Sequence, residues 1–137
     1  MVVRKKTVEP RKTRRYKAVE GAYAAIISSD SYKLGQIIYI SMGGLCFKYI
    51  DTNHRSPGIR PQQEESVFLS SMEYYVGPLP FKTISDYEVS NEPSFYSLKI
   101  RKRHIQFTDL NLKQLFDLDV FLRNNVSEKV EETFPTL

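Results

Sequence analysis

Most apolar residues of the chain fall in short runs bounded by turn residues, and only near the end do they recur at helical spacing. Ala22-Tyr23-Ala24-Ala25-Ile26-Ile27 is the first such run and reads as a buried strand. Its alanines leave a helix as the competing assignment; its shortness and its Tyr and Ile favour the strand. Ser29-Asp30-Ser31 is a turn signal. Leu34–Ser41 and Leu45–Ile50 are two further strands, separated by Met42-Gly43-Gly44. Glycines there allow positive φ and a tight reversal, so the pair is predicted to be a β-hairpin. Residues 51–64 are polar, carry Pro57, Gly58 and Pro61, and are expected to form a long surface loop.

Ser66–Ser71 is a short strand, Tyr74 to Pro80 breaks the regularity, and Phe81–Val89 resumes it. After a turn at Ser90-Asn91-Glu92-Pro93, Phe95–Ile100 and His104–Phe107 form one long strand or a bulged pair around Arg101-Lys102-Arg103. The period then changes. Leu112, Leu115, Leu118 and Leu122 recur at steps of three or four, with Phe116 and Phe121 widening the face. This predicts an amphipathic helix over residues 111–124. Asn111 is a good N-cap and Gln114 completes a capping box. Asn124-Asn125 ends it, and residues 126–137 are expected to form a polar, frayed tail. About six strands followed by one helix, with no β-α-β alternation, predict an all-β fold: a six-stranded antiparallel barrel with a C-terminal helix packed on it. The domain is expected to span residues 11–125, after a flexible arm at 1–10.

With 137 residues and 41% hydrophobic composition, the chain can bury a core as one domain. The single Cys46 excludes an internal disulfide and a Cys-rich metal site. No apolar run approaches the ~18 residues of a membrane span, and the basic N-terminus has no apolar stretch behind it to make a signal peptide. A cytoplasmic setting is expected. The net charge of +4 is uneven: residues 1–17 hold eight basic side chains and one acid, a net of +7, whereas the other 120 residues are at −3. The basicity is an arm, suited to an anionic partner.

Within that arm, Arg11-Lys12-Thr13-Arg14-Arg15 places two arginines four residues apart, ahead of the first apolar run. Each guanidinium is a planar fork of donors matched to phosphate oxygens. Tyr39-Ile40-Ser41-Met42-Gly43-Gly44-Leu45-Cys46-Phe47 follows some twenty-five residues later, and Ile105-Gln106-Phe107-Thr108-Asp109-Leu110 leads into the helix. In order and spacing these segments resemble the PilZ domain family, the bacterial cyclic di-GMP receptor module. That family carries R-x-x-x-R before the first barrel strand and D/N-x-S-x-x-G at a hairpin. The resemblance runs from Arg11 to about Asn124. It departs at Tyr39, where the family has Asp or Asn.

The resemblance implies cyclic di-GMP as ligand, with no other cofactor, and a receptor or adaptor role rather than an enzymatic one. Arg11 and Arg15 would bridge its phosphates, or hydrogen-bond or stack on its guanines. Four extended residues span roughly 13 Å, so the arm would have to wrap the ligand and order on binding. Arg14 and Lys12 would add electrostatic support. Ser41 and Gly44 would line the barrel beneath, the hydroxyl bonding phosphate or base and the glycine admitting close approach. Tyr39 lacks the edge with which Asp or Asn holds a guanine, although its ring can stack.

Two other readings stay open: a degenerate PilZ-like interaction domain that no longer binds nucleotide, and a small β-barrel nucleic-acid binder using aromatics such as Phe47, Tyr49, Phe95 and Tyr96. The acidic balance beyond the arm counts against nucleic acid. A receptor of this kind would act through a downstream protein or a homo-oligomer. No catalytic signature is present: Ser41 lacks a nucleophile setting, and His54 and His104 lack ligands in step. Cys46, between Leu45 and Phe47, is expected to be buried and inert.

Overall fold

The computed structural model describes residues 14–28, 32–51, 66–89 and 99–129. Among the described residues the elements are β1 (Tyr16–Ala18), β2 (Tyr23–Ile27), β3 (Tyr32–Ile40), β4 (Gly44–Asp51), β5 (Ser66–Ser70), β6 (Tyr75–Glu88), β7 (Lys99–Phe107), α1 (Leu112–Asn125) and β8 (Val126–Lys129). Six strands run in the order β2-β5-β6-β7-β4-β3, and a further β2–β3 pairing closes the ring. Every pairing is antiparallel. The result is the expected six-stranded antiparallel barrel with a C-terminal helix, and closure leaves no free edge in the ring.

Alternation along the strands turns Ala24 and Ile26 of β2, Leu45 and Phe47 of β4, and Val67 and Leu69 of β5 into the barrel. Helix α1 starts as the sequence predicts. Asn111 Oδ1 accepts from the Gln114 amide at 2.8 Å, and Gln114 Oε1 accepts from the Asn111 amide at 2.8 Å. Leu118, Phe121 and Leu122 enter the core. The apolar face predicted for the helix is only half used: Leu112 and Phe116 stand exposed, and Leu115 is mostly so.

Several expectations need correction. Tyr74 to Pro80 does not interrupt the sheet; β6 runs straight through Pro78 and Pro80. Val76 pairs Leu69 and Leu79 pairs Val67, so the Gly77-Pro78 step forms part of a bulge. A bulge leaves residues out of the ladder, which accommodates Pro78, unable to donate to it, while Pro80 stays in register opposite Ser66. Of the two alternatives for the stretch around Arg101-Lys102-Arg103, the single strand holds: these residues lie inside β7. Residues 126–129 are not frayed. They form β8, which pairs with β1, and β1 in turn pairs with β3 at Tyr16↔Ile40 and Lys17↔Tyr39. The hairpin glycines do not use positive φ, which among the described glycines is confined to Gly21 and Gly77. Asp51, the first residue of the loop expected at 51–64, is the last of β4; the rest of that loop, the expected turns at 29–31 and 90–93, the arm at 1–10 and the tail beyond residue 129 lie outside the described residues.

Candidate functional site

Two bulges build the site. In β3, Ile37 pairs Phe47 but Tyr39 pairs Cys46, and in β6, Thr83 pairs Ile105 but Ser85 pairs His104. Each extra residue reverses the alternation beyond it. Tyr39 and Ser85, which strict alternation would send inward, face outward instead. With Cys46↔His104 between β4 and β7, one outward row reads Tyr39, Cys46, His104, Ser85. Its polar groups bond one another: the Tyr39 hydroxyl lies 2.8 Å from His104 Nε2, and the Ser85 hydroxyl lies 3.0 Å from His104 Nδ1. Tyr87 stacks on the His104 ring, with centroids 6.2 Å apart.

Arg15 covers the end of this row. Its guanidinium carbon lies 4.1 Å from the Tyr39 ring centroid, a cation–π contact. Its Nε is buried and has no hydrogen-bond partner among the described residues, a donor left wanting an acceptor. The segment just after it is held between β3 and β8, so Arg15 is delivered by anchored backbone rather than by a free arm. Burial and the neighbouring Cys46 push the Tyr39 phenol up, and Arg15 draws it partly back. Burial also pushes the Cys46 thiol up, against the nearby Lys102. Cys46 is fully buried, and a buried protonated thiol is inert, as expected.

Below Arg15 and Tyr39 lies the hairpin. The Ser41 amide donates to Gly44 O at 2.8 Å, and Ser41 Oγ accepts from the Gly43 and Gly44 amides at 3.0 and 3.2 Å. The hydroxyl therefore ties the turn. Gly44 is required by close approach, not by its φ: a Cβ there would lie 2.2 Å from the Ile105 carbonyl oxygen of β7. Arg15, Tyr39, Ser41, Gly44, His104 and Ile84 line a cavity of about 270 Å³, with Leu45 and Ile105 at its base. Four of the six residues singled out from the sequence thus come together. Arg14 is exposed and does not line the cavity, and Arg11 lies outside the described residues.

The sequence gives no hint of His104, which is 65 residues from Tyr39 and meets it only through the β4–β7 pairing. It also hides Lys48 and Lys102, which oppose each other directly on the outward row next to His104. Like charges so placed cost stability, and with Arg15 they set a positive field beside the cavity. Their neighbours Arg101 and Arg103 point the other way. Arg101 Nε donates to Asp86 at 2.9 Å, Arg103 Nε lies 3.6 Å from the same carboxylate, and the buried Tyr49 hydroxyl donates to it at 2.8 Å. Burial and that carboxylate push the Tyr49 phenol well above its usual range. This network joins β4, β6 and β7 and does not line the cavity. No helix among the described residues is long and apolar enough to cross a membrane.

No family model matches the chain, and no curated protein matches it in sequence. Solved structures do match its fold. The PilZ domain of YcgR from Escherichia coli, with c-di-GMP, superposes with a TM-score of 0.59 at 13% identity, over 81% of this chain and 87% of that one. MrkH, described as a c-di-GMP-dependent transcription regulatory factor, gives 0.58 at 14%, over 84% of this chain and 50% of that one. Escherichia coli YcgR in complex with c-di-GMP gives 0.57 at 14%, over 82% of this chain and 44% of that one. The chain thus spans about half the length of MrkH and less than half of that YcgR chain. At these identities the likeness is one of fold.

Proposed function

We propose that the chain is a PilZ-like receptor that binds cyclic di-GMP between the Arg11–Arg15 segment and the outer barrel surface at the Ser41–Gly44 hairpin. One observation carries this reading: Arg15 lies over Tyr39 and lines the cavity with Ser41 and Gly44, and its buried Nε has no acceptor among the described residues. A cation with an unmet donor, beside Lys48 and Lys102, suits a phosphate. The shared fold with structures that hold c-di-GMP supports the choice of ligand. A cavity of about 270 Å³ admits a base or a ribose-phosphate rather than a whole cyclic dinucleotide. The rest of the ligand would lie across the outward rows under Arg11. Tyr39 stands where the family offers a pairing edge, and its ring already carries the Arg15 guanidinium.

A second reading has its own support. Tyr39 already has His104 as partner and Arg15 already rests on its ring, so apart from the Arg15 Nε the site is satisfied without a ligand. That is what an interaction domain that has lost its nucleotide would keep. Calorimetric titration of the full chain with cyclic di-GMP, beside Arg15→Ala, separates the two. Binding that Arg15→Ala weakens supports the receptor. Absence of heat from a folded protein at saturating ligand supports the interaction domain.

A further inference from the structure

Directly after Arg15 the chain enters a strand with little support of its own. Strand β1 is three residues long, Tyr16–Ala18. On one side it meets β3 at two positions, Tyr16↔Ile40 and Lys17↔Tyr39. On the other it meets β8, from the far end of the chain, at Tyr16↔Lys129, Lys17↔Glu128 and Ala18↔Val126. Ser127 is the extra residue of a bulge in this second pairing, and its hydroxyl donates to the Lys17 carbonyl at 3.3 Å. Just beyond β1, the Val19 amide donates to the Asn125 carbonyl at 3.0 Å. Each fixed residue has an entropic cost that its contacts must offset, and the larger share of the pairing that holds β1 comes from residues 125–129.

Strand β8 is itself placed by the helix. It follows α1 without a loop: Asn125 is the last helical residue, and Val126 is already extended at φ −118° and ψ 146°. Asn125 is buried, and its Nδ2 donates to the Phe121 carbonyl at 3.0 Å. Phe121 and Leu122, about one turn back, lie in the core. The helix end is therefore fixed, and so is the point from which β8 departs. One line of contacts runs from the core through the end of α1 and β8 to β1, and Arg15 is the residue before β1.

We infer that β8 is a positioning element for the ligand site: it holds β1, and through β1 it keeps the Arg15 guanidinium on the Tyr39 ring. The binding part of this inference rests on the receptor reading above. A long side chain keeps a contact 4.1 Å from a ring centroid at lower entropic cost when its backbone is already placed. A ligand that uses such an arginine finds part of the ordering done before it arrives, which raises affinity. Fixing one residue's backbone corresponds to about tenfold in binding. The coupling is reciprocal: whatever β8 adds to ligand affinity, the ligand adds to the hold on β8. Occupancy beside Arg15 is thereby felt at Ser127, 110 residues beyond Lys17.

The full chain carrying Ser127→Ala, Glu128→Pro and Lys129→Pro together tests this. Residues 128 and 129 pair in register with β1. Successive strand amides point to opposite sides, so two prolines remove the donor to β1 whichever residue supplies it. One acid and one base are lost, so the net charge is unchanged. Without ligand and with an unaltered circular-dichroism spectrum, amide exchange in residues 15–18 should quicken at least tenfold while β4 and β7 keep their protection. The upfield ring-current shift of the Arg15 side-chain protons should shrink. Cyclic di-GMP should bind this variant about tenfold more weakly, and the same changes made in Arg15→Ala should weaken binding no further. Saturating cyclic di-GMP should slow exchange at residues 126–129 of the wild type about tenfold. If the prolines unfold the barrel, Ser127→Ala alone should move exchange and affinity in the same direction, by about threefold. A folded variant with wild-type exchange in residues 15–18 and wild-type Arg15 shifts overturns the proposal. So does one that binds cyclic di-GMP as well as the wild type or better, one whose changes weaken Arg15→Ala equally, or bound ligand that leaves residues 126–129 unchanged. A wild type that binds no cyclic di-GMP defeats the receptor reading, and the exchange and ring-current results then decide the positioning by β8 on their own.

Discussion

Arg15 and Tyr39 carry the functional reading at the scale of single residues. Arg15→Ala should lose about 1.5–3 kcal/mol of cyclic di-GMP binding, the usual worth of a hydrogen bond to a charged group. That is a tenfold to hundredfold weaker dissociation constant. Lys102→Ala should weaken binding less and flatten its salt dependence, because Lys102 contributes field rather than a fitted contact. For Tyr39→Asn the expectation is tighter binding by about tenfold to hundredfold, since an amide can pair a purine edge that the phenol leaves unmet. Weaker binding in that variant would mean that the ring stacks on the base. Tyr39, Ser41 and Gly44 were legible because they lie together at one strand end and its hairpin, and Arg15 because the paired-arginine spacing some twenty-five residues earlier resembles the same family's motif order. His104, Lys48 and Lys102 were not. Their positions depend on which strands pair and where the bulges fall, and single-residue bulges at Ile38 and Ile84 leave no mark in an apolar pattern.

At the scale of elements, the Tyr49–Asp86–Arg101–Arg103 network fastens the middle of the sheet. Asp86→Asn would leave the buried Arg103 facing a neutral amide, and should cost about 1.5–3 kcal/mol in urea unfolding. The network also sets an alkaline limit. Tyr39 and Tyr49 are both held above the ordinary tyrosine value of 10.0 in the fold, chiefly by burial. A raised folded value means stability that is fully present below the unfolded value and lost as pH rises through the folded one. Urea midpoints should therefore hold up to pH 10 and fall above it, and Tyr49→Phe should flatten that fall. Asn111→Ala should cost about 1 kcal/mol through loss of the helix cap. The cap, the hairpin and the central strands were readable because each has a local cause. Strand β6 was not, because Pro78 and Pro80 signal a break, although a bulge takes up Pro78 and Pro80 stays in register opposite Ser66. Strands β1 and β8 were missed for another reason: each is short, and each exists only through its partner.

The whole molecule is a closed barrel whose two outward faces differ in chemistry. One carries Arg15 at a cavity with Lys48 and Lys102 beside it; the other, across β2, β5 and β6, carries Tyr23, Phe68 and Tyr75. Closure was predictable from six strand-like runs without crossover helices, but the division of its surface was not, since it follows from strand order. The helical period at 112–122 gave the element correctly yet overstated its buried face, because periodicity shows that a stripe is apolar and not what it packs against. Nucleotide binding by the first face is the central functional claim, and isothermal titration with cyclic di-GMP tests it most directly, on wild type and Arg15→Ala in the same buffer. The predicted result is saturable heat from the wild type and at least tenfold weaker binding by the variant. No saturable heat from folded wild type, or equal affinity in the two proteins, would contradict it.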